Sequence, residues 1–301
     1  MKPAPFEYQR AQSIEHALGL LAEYGPEAKL IAGGQSLTPM MAMRLVRPTW
    51  LIDIAGIDAL SHVTIMDHEV RVGGATPQYV LEEHAELGQC LPIIGQALAW
   101  VGHIQTRNRG TIGGSMVHAD PSAELPLVSV LLDARLILQS ARAGRRELLA
   151  REFFNGPMST VIEPDECLIE IVLPRWRASR CGSAFDEVAI RHGDFALVSA
   201  CAQMALDAEG RCQQAALALG GADNIPLDCS AEVTALIGQL PTEDAIDGIA
   251  RSVVARLSPP TDLHASADYR RALARTLCVR VLRSALARAG ERTGTPAGQM
   301  A

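Results

Sequence analysis

Short apolar runs that end in glycine alternate with helical periodicity through the first half of the chain. "AKLIAGG" (Ala28–Gly34) reads as a β-run closed by glycine, and "PTWLIDIAG" (Pro48–Gly56) as a second. Between them "TPMMAMRLV" (Thr38–Val46) predicts a helix, with Thr38 as N-cap and Pro39 at the first helical position. Together they form a βαβ unit of about 30 residues. "EVRVGGAT" (Glu69–Thr76) is a strand ending in another glycine pair. "PQYVLEEHAEL" and "LPIIGQALAWVG" (Pro77–Leu87 and Leu91–Gly102) are helical. A polar loop follows over residues 103–124. It runs into an apolar helix, "LPLVSVLLDA", then the strands "ARLILQS" and "ECLIEIVLP".

The pattern changes after a basic, irregular joint, "RWRASRCGS" (Arg175–Ser183). "AFDEVAIR", "ALVSACAQMALDAEG" and "CQQAALALGGA" predict three strands, with "DAEG" as a hairpin signal. Three helical segments close the chain: "SAEVTALIGQL", "TEDAIDGIARSVVARL" and "ADYRRALARTLCVRVLRSALARAG". In the last of these, Arg270, Arg271, Arg275, Arg280, Arg283 and Arg288 alternate with apolar residues and read as a solvated face. Residues 291–301 read as a flexible tail.

At 301 residues the chain is long enough for two or three lobes. No apolar run reaches the roughly 18–20 residues a bilayer span needs. The N-terminus lacks the apolar centre of a signal peptide, so the chain reads as cytoplasmic. A net charge of −7 without a basic, aromatic-interleaved block argues against nucleic acid. The 7 cysteines are scattered, with no CxxC and no zinc-type spacing. That excludes a structural zinc or an iron–sulfur cluster on this chain as an expectation, and points to reduced, structural thiols.

The candidate chemistry lies in two glycine doublets. "IAGGQSL" contains Gly33, Gly34, Gln35 and Ser36; "TIGGSMVHADPSAELP" contains Gly113, Gly114 and Ser115. Consecutive glycines permit φ > 0 and expose N–H groups, and a following helix adds its positive end. Each doublet is therefore a turn or an anion-holding nest, the second helped by the Thr111 and Ser115 hydroxyls. Two nests would suit the two charged groups of a pyrophosphate. After the second doublet come His118, Asp120 and Glu124. Asp120 is a natural N-cap. Glu124 falls in a first helical turn, either as a dipole partner or as an acceptor for ligand hydroxyls.

Three stretches carry a family resemblance: "AGGQSLTPMMAMRLVRPTWLIDI", "TRNRGTIGGSMVHADPSAELP" and "RHGDFALVSACA". In order, over roughly residues 3–290, the chain resembles the FAD-binding medium subunit of the molybdenum hydroxylases, the xanthine dehydrogenase and carbon monoxide dehydrogenase superfamily. The resemblance implies an α+β fold. Residues 1–176 would be a two-subdomain FAD-binding domain of the vanillyl-alcohol-oxidase (PCMH) type, divided near residue 55. Residues 177–290 would form a domain with a three-stranded antiparallel sheet and a helical bundle.

It also implies site residues. Ala32, Gly33, Gly34, Gln35, Ser36 and Leu37 would wrap the FAD pyrophosphate from one side. Thr111, Ile112, Gly113, Gly114 and Ser115 would hold it from the other, with His118 nearby and Glu124 near the ribityl chain. Leu168 or Ile169 would meet the nucleotide end, and Asp194 and Phe195 the isoalloxazine. Relatives carry a lysine just after "SAF"; here Asp186 and Glu187 stand there. FAD would be bound noncovalently. A large molybdopterin-binding subunit and a small [2Fe–2S] subunit would be the partners, in a heterotrimer or a dimer of heterotrimers. This chain would pass electrons from the clusters to an external acceptor. A self-contained flavin oxidase and a nucleotide-binding scaffold remain the alternatives.

Overall fold

The computed structural model describes residues 2–291; residue 292 and those after it, where the tail is expected, lie outside the described residues. Five elements form the N-terminal layer: Glu7–Arg10 (β1), Ile14–Tyr24 (α1), Ala28–Ile31 (β2), Leu37–Ala42 (α2) and Trp50–Asp53 (β3). β1 and β2 both run parallel to β3, in the order β1-β3-β2. Ser13 caps α1 by accepting from the His16 N–H at 3.1 Å, and Gly25 (φ 57°) ends the helix. Ala17, Leu18 and Leu21 then point at Ile52, and the Tyr24 ring stacks on Trp50 at 4.0 Å. β1, "EYQR", has no alternation that sequence reading could detect. α2 begins at Leu37, not after Thr38: the Thr38 N–H closes the first turn on the Gly34 carbonyl at 3.0 Å, so Thr38 is inside the helix rather than its cap.

The middle of the chain comprises Val63–Ile65 (β4), Glu69–Gly73 (β5), Gln78–Glu83 (α3), Ala85–Cys90 (α4), Pro92–Leu98 (α5), Ile104–Arg107 (α6), Ile112–His118 (α7), Glu124–Leu131 (α8), Arg135–Ser140 (β6), Gly144–Leu149 (β7) and Ala150–Phe153 (α9). A small ribbon, Phe154–Gly156 (β8) with Ser159–Thr160 (β9), and the strand Glu166–Pro174 (β10) complete it. The antiparallel sheet runs β4-β5-β10-β6-β7. The central strand β10 has a bulge: Leu168 faces Leu138 and Glu170 faces Ile137, leaving Ile169 as the extra residue. By strand alternation Leu168 joins the core under α5, α7 and α8, and Ile169 the core under α1. Glu166, almost wholly buried, takes a two-pronged bond from Arg146 on β7 at 2.6 and 2.7 Å. The expected helix over residues 77–87 is two helices, broken at His84, whose Nδ1 accepts from the Leu87 N–H at 3.2 Å. The expected polar loop over residues 103–124 contains α6 and α7.

The C-terminal part consists of Arg180–Val188 (β11), Val198–Leu206 (β12), Cys212–Gly220 (β13), Leu227–Asp228 (β14), Ser230–Val233 (α10), Glu243–Ala255 (α11) and Ala267–Glu291 (α12). The three long antiparallel strands are joined at the edge by the two residues of β14. One face of the sheet carries α11 and α12. α12 seats so closely that a Cβ on Gly182 would lie 2.2 Å from the Ala285 carbonyl oxygen. The other face packs on α5 and α8, with Phe185, Cys201, Ala216 and Ala218 joining the core of the middle layer. The arginine face of α12 is not wholly solvated. Arg270 is buried and donates to the carbonyls of Leu197 and Gly221 (3.2 Å to the latter) and to Asp262 at 2.6 Å. Arg288 reaches the Ser183 carbonyl at 2.6 Å. Arginine's long fork reaches these carbonyls from the helix, and the Ser183 carbonyl accepts from Gln96 Nε2 as well, at 3.3 Å. None of the seven cysteines forms a disulfide among the described residues, and five are buried.

Candidate functional site

A cavity of about 740 Å³ lies where the three layers meet. That volume falls within the range of small-molecule pockets, roughly 300–1,000 Å³. β2 and the turn into α2 form one wall, α7 and the turn into α8 form the opposite wall, and β10 forms the floor. The segment Gly193–Phe195 stands at the rim.

The first wall is built from "AGGQS". Ala32, Gly33, Gly34, Gln35, Ser36 and Leu37 all line the cavity. Gly34 sits at φ 70°, where an L-residue is strained. Among the described residues, the N–H groups of Gly33, Gly34, Gln35 and Ser36 donate to no protein acceptor. They are therefore free to bind an anion.

The second wall is built differently. Thr111, Gly113, Gly114 and Ser115 line the cavity, as do His118 and Glu124. The doublet, however, lies inside α7 rather than ahead of it, and its amides are used. Ile112 donates to the Thr76 carbonyl at 3.1 Å, Gly113 to the Gly74 carbonyl at 3.0 Å, and Ser115 to the Thr111 carbonyl at 3.1 Å. Gly114 donates to the Thr111 hydroxyl at 3.0 Å. The expectation of a second nest is thereby corrected: Thr111 is the N-cap of α7, and what this wall offers a ligand is hydroxyls and the helix end. Gly113 is glycine because a Cβ there would lie 2.3 Å from the Gly74 carbonyl oxygen, and one on Gly74 would lie 2.1 Å from that of Leu168.

Ile112 is fully buried in the core and does not line the cavity. Ile169 does not line it either, because strand alternation puts it on the face of β10 opposite Leu168, towards the core under α1; Leu168 does line it. Asp194 and Phe195 are at the rim, and Phe195 is 66% exposed, which rules out a core aromatic. Asp120 does not cap α8. Its Oδ1 accepts from the Ser122 N–H at 2.8 Å within the preceding turn, and Ala123 holds the cap position without a side-chain bond.

The electrostatics are divided. Burial pushes the Glu124 carboxyl up to about 7; a backbone hydrogen bond opposes the shift and Asp120 adds to it. Burial lowers the His118 pKa, partly offset by Asp120, so the ring is held neutral. Asp120 and Glu124 lie on the second wall, Glu163 and Glu166 at and just before the floor strand, and Asp194 at the rim, while the free amides lie on the first wall. Lys29 on β2 adds a positive charge on the amide side.

Sequence reading missed Gln78, at the start of α3. It is buried, it lines the cavity, and its Oε1 has no partner. An unpaired buried acceptor calls for a donor from a ligand. No local pattern marks such a glutamine, since only the contact with the second wall brings it to the cavity. Free amides on one wall, hydroxyls and a carboxyl that burial raises to about 7 on the other, an orphan acceptor and exposed Phe195 at the rim together fit a dinucleotide with a pyrophosphate, polyol and ring system, such as FAD.

The comparisons agree. Residues 4–176 match the family model described as the FAD binding domain in molybdopterin dehydrogenase, and residues 183–285 that of the CO dehydrogenase flavoprotein C-terminal domain. The chain is 39% identical over 289 residues to the 6-hydroxypseudooxynicotine dehydrogenase complex subunit alpha of Paenarthrobacter nicotinovorans, covering 96% of this chain and 97% of that one. It is 30% identical over 286 residues to the xanthine dehydrogenase FAD-binding subunit of Escherichia coli O157:H7, covering 94% and 97%. Among solved structures, the carbon monoxide dehydrogenase from Hydrogenophaga pseudoflava that lacks the Mo-pyranopterin moiety of the molybdenum cofactor superposes with a TM-score of 0.92 at 34% identity, covering 96% of this chain and 99% of the other. The chain belongs to the medium, FAD-binding subunits of the molybdenum hydroxylases.

Proposed function

We propose that this chain is the electron-transfer subunit of a molybdenum-containing hydroxylase or dehydrogenase, set between [2Fe–2S] clusters on a small partner subunit and an external acceptor. Substrate oxidation belongs to a large molybdopterin-binding partner. The three chains would assemble as a heterotrimer or a dimer of heterotrimers. Residues 1–176 would serve as the FAD-binding domain and 177–290 as the domain that closes its ring end.

FAD, when bound, would supply a carrier that can take up electrons singly from one-electron clusters and release them singly or in pairs. The protein's part is to bind and orient it. The amides of Gly33–Ser36 would hold its anionic centre, Ser115 and Glu124 its hydroxyls, and Gln78 one of its donors. The observation that carries the reading is the rim. Phe195 and Ile190 on one side and Ile104 on the other are large apolar side chains left 66, 57 and 60% exposed. Gly193 packs against Gly102, and His192 lies against Trp100 at 5.2 Å, so the two rim segments are held together. Large exposed apolar side chains beside the cavity suit a redox partner docking close to the ring. The relatives' names give a nicotine-derived substrate, xanthine and carbon monoxide for chains of one fold. Such breadth supports placing substrate choice on another subunit.

The test is a complex reconstituted with and without FAD. Without FAD, substrate should still reduce the partner's clusters, seen by electron paramagnetic resonance, while reduction of the external acceptor stops. Added FAD should restore it. Acceptor reduction that is equal with and without FAD overturns the reading.

A further inference from the structure

A second cavity, of about 260 Å³, lies at the joint between the two parts of the chain and shares no lining residue with the larger one. β11 and β12 form its floor; the segment from α4 into α5 and the linker after β10 form its walls. Ser183 stands directly opposite Gln203 on the two floor strands. Gly182 faces α12, so alternation turns Ser183 to the other face, where Phe185 and Cys201 of the same rows join the core of the middle layer. Ser183 and Gln203 are each 4% exposed. Among the described residues, neither the Ser183 hydroxyl nor Gln203 Oε1 has a hydrogen-bond partner. Gln203 Nε2 donates to Cys181 Sγ at 3.5 Å, which leaves the amide oxygen as the unpaired end.

Two unpaired buried groups on the floor of one cavity call for a ligand that pairs both. A hydroxyl can donate or accept, but an amide oxygen only accepts, so the ligand must bring a donor of its own. The linker brings charge. Arg175 and Arg177 line the cavity, and among the described residues no Asp or Glu does. Arg175 is fixed at both ends: its backbone N–H donates to the His68 carbonyl at 2.9 Å and its Nη1 to the Met66 carbonyl at 2.6 Å. Those neutral partners hold the guanidinium without cancelling its charge. Arg177 has Asp67 at 3.7 Å, with both side chains well exposed, so that pair is weak. Fixed positive charge beside a hydroxyl donor selects an anion. The volume is below the roughly 300 Å³ of the smallest drug-sized pockets, so the anion is small.

We propose that this cavity binds a small oxyanion that keeps an O–H of its own, hydrogenphosphate being the simplest. Its anionic oxygens face Arg175 and Arg177, one oxygen accepts from the Ser183 hydroxyl, and its O–H donates to Gln203 Oε1. Sulfate has the same shape but no proton near neutral pH. It would set an anionic oxygen against Gln203 Oε1 and leave that acceptor unpaired. The occupant would bridge the linker and the C-terminal sheet, and its binding does not depend on the FAD reading.

Calorimetric titration of the full chain tests this, at neutral pH, fixed ionic strength and saturating FAD, which keeps the probes off the amides of Gly33–Ser36. Phosphate should bind at least about tenfold more tightly than sulfate, the cost of one unpaired buried acceptor. Gln203→Met should cut that preference below about twofold. Gln203 does not line the larger cavity, so its variant identifies the site whether or not FAD is bound. Arg177→Gln, at an exposed position that leaves folding intact, should weaken phosphate about threefold. Lactate against propionate puts the same question to an organic acid with and without a hydroxyl. Preference in the inorganic pair assigns phosphate, preference in the organic pair alone assigns a hydroxy acid, and either supports the proposal. No preference in either pair, no binding of any probe up to about 10 mM, or a preference that survives in Gln203→Met overturns it. Unchanged affinity in Arg177→Gln overturns it as well.

Discussion

Gly33 and Arg109 meet backbone to backbone: a Cβ on Gly33 would lie 1.9 Å from the Arg109 carbonyl oxygen and 2.8 Å from the Gly110 Cα. The glycine is required by the other wall of the cavity rather than by the ligand. The N-terminal layer is docked onto the loop before α7 through this contact. Gly113 against Gly74, and Gly74 against Leu168, continue it to the bulge in β10.

Gly33→Ala should therefore be enough to spread the cavity, without a branched side chain. We expect FAD retention to fall at least about tenfold, with about 1–3 kcal/mol of lost stability from overpacking. Gly19→Ala, in α1 with nothing within 4 Å of its Cβ, is the control and should be neutral or stabilising by about 0.4–1 kcal/mol. Flavin-to-protein absorbance and thermal melting read both. Full flavin on Gly33→Ala would show that the two walls do not need this contact.

Thr111→Val removes the cap of α7 and leaves the Gly114 N–H without its acceptor. The expected loss is about 1 kcal/mol in chemical denaturation. FAD affinity should fall less than in Gly33→Ala, because the free amides lie on the other wall. Affinity loss in the reverse order would restore the second doublet as the principal anion site.

Arg146→Ala strands the buried Glu166 carboxyl, which keeps only the Glu163 N–H at 2.8 Å. A loss of about 2–4 kcal/mol is expected at neutral pH, below the full value of a buried pair because Arg146 is partly exposed. Although burial opposes it, the bonds from Arg146 and Glu163 hold the Glu166 pKa below its ordinary value. The stabilisation is thus present above about pH 4.5 and lost as pH falls through the lower folded value. The gap between wild type and variant should close in acid; a constant gap would remove the ion pair as its cause.

Arg270→Lys should be far from conservative. A single ammonium cannot serve Asp262 and the carbonyls of Leu197 and Gly221 together. A loss of about 2–4 kcal/mol is expected. Leu197 is two residues from Phe195, so FAD retention should drop as well. Unchanged flavin in a destabilised variant would separate this anchor from the rim.

Much of the fold was legible because its signals are local. β3, β6 and β10 have apolar centres, β5 alternates polar and apolar residues, α8 is an apolar run, and α11 has clear helical periodicity. What escaped were elements held by context: β1, whose four residues have no apolar alternation, and α6 and α7, hidden in a polar, glycine-bearing stretch. Asp120 and Thr38 look like caps by residue type, yet the chain takes its first helical hydrogen bonds elsewhere.

The sequence by itself determined the two glycine doublets and the acidic residue after the second, because backbone freedom and residue order are written along the chain. The resemblance carried by its three motifs implied the family and FAD. Only the tertiary structure decided which amides are free, because the partners that consume those of Gly113 and Gly114 come from Gly74 and Thr111. It alone placed the bulge in β10 that leaves Ile169 without a partner on β6. And it alone brought Gln78, a buried acceptor with no partner, to the cavity, because burial follows packing and not sequence spacing.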